Sequence, residues 1–162
     1  MMEVSTPGPA GPPRHRGRRW SARVVLAAGV VSVAASPAGE VLPGPIPARV
    51  VEVIDGDTVR VRARIWLGQE IEISVRFDGI DTPERRGKCA EERRLAEAAH
   101  AFVAARMDGQ PVTLRNVHYG KYAGRVVARA LLPSGEDISQ SLISAGLARP
   151  YDGRARAGWC AV

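Results

Sequence analysis

Three short stretches of this chain place charged side chains where a strand or a turn does not require them. Asp55-Gly56-Asp57-Thr58 stands between two runs rich in β-branched residues; Arg76 is followed by Gly79-Ile80-Asp81-Thr82-Pro83-Glu84; Tyr122-Ala123-Gly124-Arg125 opens a third apolar run. Taken singly, each has an ordinary structural use. Asp-Gly makes turns, Thr-Pro-Glu suits a helix entry, and an arginine at a strand start is commonly a solvated charge. Taken together they supply a chemistry. Asp57 and Asp81 leave neighbouring strands and can converge on a hard cation, which prefers oxygen ligands. Glu84 lies three residues beyond Asp81, where it can accept a proton from water. Arg76 and Arg125 can grip the non-bridging oxygens of a phosphate from two directions. A cation, a base and two guanidinium groups are what hydrolysis of a phosphodiester needs.

The elements that must position these groups are legible from periodicity. Val50, Val51, Val53 and Ile54 run into the Asp55-Gly56 hairpin signal. The return strand alternates, with Val59, Val61, Ala63 and Ile65 on one face and Arg60, Arg62 and Arg64 on the other. After a turn at Leu67-Gly68-Gln69, Ile71, Ile73, Val75 and Phe77 form the inward face of a third strand. Residues 79–87 read as a loop. Ala90 to Met107 reads as a helix with Leu95, Ala98, Ala99, Phe102 and Val103 as its apolar stripe. Pro111 to Val117 and Arg125 to Leu132 are two further strands, and Asp137 with Gln140 caps a short helix over Ile138 to Ala145. The order β-β-β-α-β-β-α, five strands with a helix between the third and fourth, is an α+β layout of the OB-fold barrel type.

Residues 1–38 differ in character from the rest. A Gly/Pro-rich start leads to five arginines between Arg14 and Arg23, then an apolar stretch from Val24 to Ala35, then small residues through Ala38. This has the shape of an export signal, with cleavage after Ala35 or Ala38, and the stretch is short for a permanent bilayer span. An Ala/Val-rich disordered leader or an uncleaved membrane anchor is the alternative. Gly39 to Pro47 reads as a linker and residues 48–162 as the folded domain. The leader also carries most of the charge imbalance. The whole chain has 23 basic and 17 acidic residues, net +6, but residues 1–38 hold five of the former and Glu3 alone of the latter, leaving 18 against 16. A generally basic surface for nucleic acid is therefore not supported for residues 39–162, and any attraction to phosphate must be local. The two cysteines, Cys89 and Cys160, are too few and too far apart for a zinc site. In an exported protein an even count favours a disulfide, here tying the helix start to the C-terminal segment; two free thiols are the alternative.

As an ordered set, Val53-Ile54-Asp55-Gly56-Asp57-Thr58-Val59, Arg76-Phe77-Asp78-Gly79-Ile80-Asp81-Thr82-Pro83-Glu84, Gly124-Arg125 and Leu142 to Ala148 resemble the successive signatures of staphylococcal nuclease-like (thermonuclease) domains. The resemblance covers about residues 48–151 and continues into a Tyr-Asp-Gly…Trp-Cys tail. It implies a five-stranded OB-fold with flanking helices and calcium-dependent hydrolysis of DNA and RNA that leaves 3′-phosphates. Asp57 and Asp81 would ligate Ca2+ by side chain and Thr82 by its backbone carbonyl, with Asp55 an outer-shell carboxylate. Glu84 matches the family's proposed general base, and Arg76 and Arg125 its transition-state stabilisers. Lys121 and Tyr122 match substrate-phosphate contacts, and Tyr151 a nucleotide-stacking position. One departure is clear: the family's Asp-Lys-Tyr-Gly-Arg is here Gly120-Lys121-Tyr122-Ala123-Gly124-Arg125, with the aspartate absent and one residue added.

The expectation is thus a secreted or periplasmic nuclease acting on nucleic acid as a monomer, without a stable protein partner, and touching membrane only through its leader. The competing expectation is a non-catalytic OB-fold module that holds a strand through Arg76, Arg125, Tyr122 and Tyr151.

Overall fold

The computed structural model describes residues 8, 39–121 and 123–160. The leader reading for residues 1–38 therefore lies outside the described residues, and so does Tyr122. Within them the chain runs through β1 (Val41–Leu42), β2 (Ile46–Asp55), β3 (Thr58–Trp66), β4 (Gln69–Phe77), β5 (Ile80–Asp81), α1 (Ala90–Met107), β6 (Pro111–Tyr119), β7 (Arg125–Leu131), α2 (Ile138–Ser144) and β8 (Arg149–Pro150). No helix among them is long and apolar enough to cross a membrane.

Long alternating strands with one apolar face close on themselves, because closure buries that face and removes the sheet edges. Strands β6-β2-β3-β4-β7 form a ring sealed by β6–β7 pairing, with β1 added outside β6. All ring contacts are antiparallel except β4–β7. This is a closed five-stranded mixed barrel with two helices, as an OB-type α+β fold requires. Register shifts in β2 near Val50/Glu52 and in β6 near Arg115/His118 supply the local coiling that closure needs. Asn116 in β6 takes the left-handed conformation, φ 53°, at the second of these.

The core is filled from every strand of the ring and from both helices: Val50, Val59, Val61, Val75, Phe77, Val103, Met107, Leu114, Ile138 and Leu142 are among its fully buried members. Helix α1 has the bounds that its periodicity predicts. Its buried stripe is rotated by about one position from the expected one: Ala96, Ala99, Val103 and Met107 are buried, while Leu95, Ala98 and Phe102 flank them. Small alanines let the helix approach the barrel, and Phe102 lies at the margin under the Arg106 guanidinium, 3.6 Å from its ring centroid.

Three other expectations change. Ile65 (54% exposed) and Ile71 (41%) are not inward residues, since the β3–β4 hairpin projects past the rim and carries Trp66 and Leu67 with it. Strand pairing begins inside the stretch read as a linker, where Val41 and Leu42 pair with His118 and Val117. The stretch read as a loop, residues 79–87, contains β5, which pairs with β8 so that Asp81 lies opposite Arg149.

Cys89 and Cys160 form a disulfide with a Cα–Cα distance of 5.9 Å. Cys89 is also the N-cap of α1, its sulfur accepting from the Glu92 amide at 3.4 Å. The buried Glu92 carboxylate in turn accepts from the Lys88 amide at 2.9 Å. Carboxylates in this first turn suit the positive end of the helix dipole.

Candidate active site

At one end of the barrel the first hairpin turns back on itself at Gly56 and Asp57. Gly56 has no room for a side chain: a Cβ there would stand 2.7 Å from the Ala99 Cβ of α1. That close approach presses the hairpin tip onto the helix and places Asp57 inside, 4% exposed. The Asp57 amide donates to Asp55 Oδ1 (3.3 Å), and the Thr58 hydroxyl donates to Asp57 Oδ1 (2.7 Å). Asp57 Oδ2 accepts from Arg76 Nη1, whose residue is on β4 and pairs with Thr58 across β3–β4. Arg76 Nη2 donates to the Ile80 carbonyl at 3.1 Å and stands 3.9 Å from Asp81 Oδ1. A half-buried arginine therefore lies between the two aspartates.

Burial is the largest influence on Asp57 and raises its carboxyl pKa. The Arg76 charge opposes that, the Asp55 charge adds to it, and the Thr58 hydrogen bond opposes it; the net shift is upward. A carboxylate pushed towards protonation by burial is one that a further positive charge would stabilise. Asp81 points the same way. It is 4% exposed, and its Oδ1 lies fully inside without a well-aimed hydrogen-bond donor among the described residues. Arg156 Nε is 2.9 Å from that oxygen but off the hydrogen-bonding direction. Two buried carboxylates, an under-donated oxygen and the adjacent buried Thr82 make an oxygen-only donor set that fits a hard divalent cation. Asp55 borders the same space at its outer side.

The register of the parallel β4–β7 pair brings in the second arginine. Ser74 pairs with Arg125 and Arg76 with Val127, so both guanidinium-bearing positions share one face of adjacent strands. Gly124, at φ 77°, makes the turn into β7 that starts this register. Arg76 and Arg125 both line a cleft of about 620 Å3, with Asp55, Asp57, Thr82 and Glu84. Lys121 and Tyr151 border the same cleft. The Tyr151 amide donates to the Gly79 carbonyl (2.9 Å) and its hydroxyl to the Arg154 carbonyl (2.7 Å), which fixes the ring at the cleft margin.

Several residues here were not anticipated. Arg156 ion-pairs with Asp81 and with Glu84 at once, and so covers Asp81 from the cleft. For Arg156, burial is the largest single influence and lowers its pKa. The Glu84 hydrogen bond and the charges of Asp81, Glu84 and Asp57 outweigh it, so the net shift is upward. Trp159 Nε1 donates to Asp81 Oδ2 at 3.2 Å. His118 borders the cleft, its Nδ1 2.9 Å from the Asn116 carbonyl; a carbonyl only accepts, so that nitrogen carries the proton. One sequence signal pointed towards the first two. Cys89 follows Glu84 by five residues, so a bridge to Cys160 brings the segment that carries Arg156 and Trp159 towards the start of α1. A second, smaller groove of about 250 Å3 between Leu42, Ile65, Ile71 and Tyr119 is lined mainly by apolar side chains and offers no comparable chemistry.

Comparison with known proteins gives this geometry a lineage. The family described as staphylococcal nuclease homologue matches residues 74–157, just over half the chain. A protein of Escherichia coli named "Uncharacterized endonuclease" is 30% identical over 112 residues, which is 69% of this chain and 65% of the relative. A protein of Escherichia coli O157:H7 with the same name aligns to the same extent. The chain thus spans slightly less than two thirds of the length of these curated relatives. The match begins within β4 and ends at the tail that carries Arg156, and so includes Arg76, Asp81, Glu84 and Arg125. With the closed barrel and the shared cleft, this shows that the chain belongs to the staphylococcal nuclease homologue family.

Proposed function

We propose that the chain is a calcium-dependent nuclease that hydrolyses phosphodiester bonds of DNA or RNA and leaves 3′-phosphates. The observation that carries this reading is the convergence of Asp57, Arg76, Glu84 and Arg125 on one cleft, with Asp81 directly behind it. The names of the relatives, both called endonucleases, are consistent with it.

Asp57 and Asp81 would hold the calcium ion by carboxylate oxygens, with the Thr82 carbonyl beside them and Asp55 one shell out. The ion, when bound, supplies positive charge that polarises a phosphate oxygen and lowers the pKa of water. Arg125 and Arg76 bind the non-bridging oxygens from the β7 and β4 sides. Their charge is preorganised by the strands, so little reorganisation is needed as charge builds on phosphorus. Glu84 accepts the proton of the attacking water at a carboxylate oxygen. That role requires Arg156 to release it, since the same carboxylate is now its ion-pair partner. Lys121 and Tyr151 line the path of the flanking nucleotides, one by charge and one by a ring face. Export by the N-terminal leader would place the protein where calcium is plentiful, outside the cytoplasm.

One observation favours a second reading. Arg156 already ion-pairs with both Asp81 and Glu84, and a cleft closed in this way would bind phosphate without cutting it. Glu84→Gln separates the two. For a nuclease, cleavage of a labelled single-stranded oligonucleotide falls by about 100-fold or more while oligonucleotide binding persists, and wild-type products carry 3′-phosphate ends. Tight, salt-sensitive binding with no turnover in wild type would establish the binding module instead.

A further inference from the structure

Trp159 belongs to none of the groups assigned above, yet it sets the orientation of a key carboxylate. Its Nε1–H donates to Asp81 Oδ2, so Oδ2 is engaged and Oδ1 is the oxygen turned towards Arg76 and Arg156. The indole is itself held from two sides. The Arg149 guanidinium stacks on it at 3.9 Å and donates to the Gly158 carbonyl at 3.0 Å. Arg149 is the strand partner of Asp81 in the β5–β8 pair, so the residue that stacks on the indole and the residue whose carboxylate the indole holds are neighbours across one ladder. On its other side Trp159 is followed directly by Cys160, bonded to Cys89 at the start of α1. A carboxylate that must present one oxygen to a cation gains from a donor on the other, because the donor fixes its rotation.

We propose that Trp159 is a positioning residue for the cation site, and that the disulfide-anchored strap 149–160 is the part of the fold that holds it in place. The proposal rests on reading Asp57 and Asp81 as cation ligands. Trp159 touches neither substrate nor cation; it acts through Asp81.

The test is calcium binding by calorimetry on the full oxidised chain, together with nuclear magnetic resonance of the tryptophan indole N–H groups. Wild type binds calcium. Trp159→Phe keeps an aromatic face for Arg149 but has no donor, and its affinity falls about 10- to 100-fold with the circular dichroism spectrum unchanged. The Trp159 indole resonance, identified by its loss in that variant, moves in Asp81→Asn and again on addition of calcium. Cys89→Ser/Cys160→Ser loses affinity in the same direction by a smaller factor. Wild-type failure to bind calcium would remove the cation reading. Movement of the indole resonance in Asp81→Asn would then still show that Trp159 holds Asp81, and its immobility would overturn that as well. Equal affinity in folded Trp159→Phe and wild type overturns the positioning role. Should Trp159→Phe fail to fold, Arg149→Ala decides: a several-fold loss supports the proposal, and unchanged affinity overturns it.

Discussion

The two walls of the cleft are held by different forces. The inner wall, with Asp57, Arg76 and Arg125, stands on strands whose register is fixed by fully buried neighbours such as Val59, Val75 and Phe77. The outer wall, with Tyr151 and Arg156, belongs to a strap that continues to Trp159 and Cys160 and whose residues are mostly exposed. It is held by a two-residue strand pairing, the Arg156 ion pairs, a few hydrogen bonds, the Arg149–Trp159 stacking contact and the disulfide. Moving the inner wall means opening the barrel, which costs much of the global stability. Moving the outer wall is a local opening of the kind that lies at the low end of the stability range. Arg76 and Arg125 are thus on the rigid side, and Arg156, which covers Asp81, is on the side that can give way.

The largest effect expected from this division is on the inner wall. Arg125→Ala is expected to lower kcat by about 10²–10³-fold with calcium affinity little changed, because the role proposed for Arg125 is to bind a phosphate oxygen and not the ion. Steady-state kinetics beside calorimetry reads both, and a loss under tenfold would break the assignment. Next in size is the strap. Opening the Cys89–Cys160 bridge, which spans 71 residues, is expected to lower stability by about 2–4 kcal/mol in denaturant titrations. An unchanged midpoint after reduction would mean that the strap is held without it.

Much of the inner wall was legible in the sequence because its signals are local. The alternation from Val59 to Ala63, the Asp55-Gly56 turn and the span of α1 each depend on neighbours a few residues apart, and the barrel order follows from them. The outer wall has no such signal. Strands of two residues, Ile80–Asp81 and Arg149–Pro150, carry no period, so a loop was the natural reading for residues 79–87. Arg156 and Trp159 reach Asp81 through chain closure by the disulfide, which adjacency in sequence cannot reveal. Ile65 and Ile71 continue an alternating pattern past the rim of the barrel, where the pattern persists but the core does not.

Smaller effects sharpen the contrast. Arg156→Gln removes a part-exposed ion pair from Asp81 and Glu84, and is expected to raise calcium affinity about two- to fivefold, in line with the ~1 kcal/mol or less of such pairs. A fall in affinity would show that Arg156 supports the site and does not compete for it. The smallest effect concerns Asp57. Its folded pKa is raised above the ordinary 3.8, so in the interval between that value and its raised one the folded state binds more protons than the unfolded state. Stability without calcium therefore falls as pH rises through this interval, and the penalty is constant above it. Asp57→Asn lacks that ionisation. Its melting temperature relative to wild type is expected to climb as pH is raised from below 3.8 and then level off. A pH-independent difference would contradict the burial argument.

The buried aspartates and the paired arginines are proposed to form one cation-dependent phosphodiester-cleaving site. Its most direct measurement is the initial rate of cleavage of a single-stranded oligonucleotide in calcium, then with excess chelator, then with calcium restored. Cleavage is expected to stop on chelation and to return with calcium. Cleavage that continues undiminished in chelator, or its absence under every condition, would contradict this.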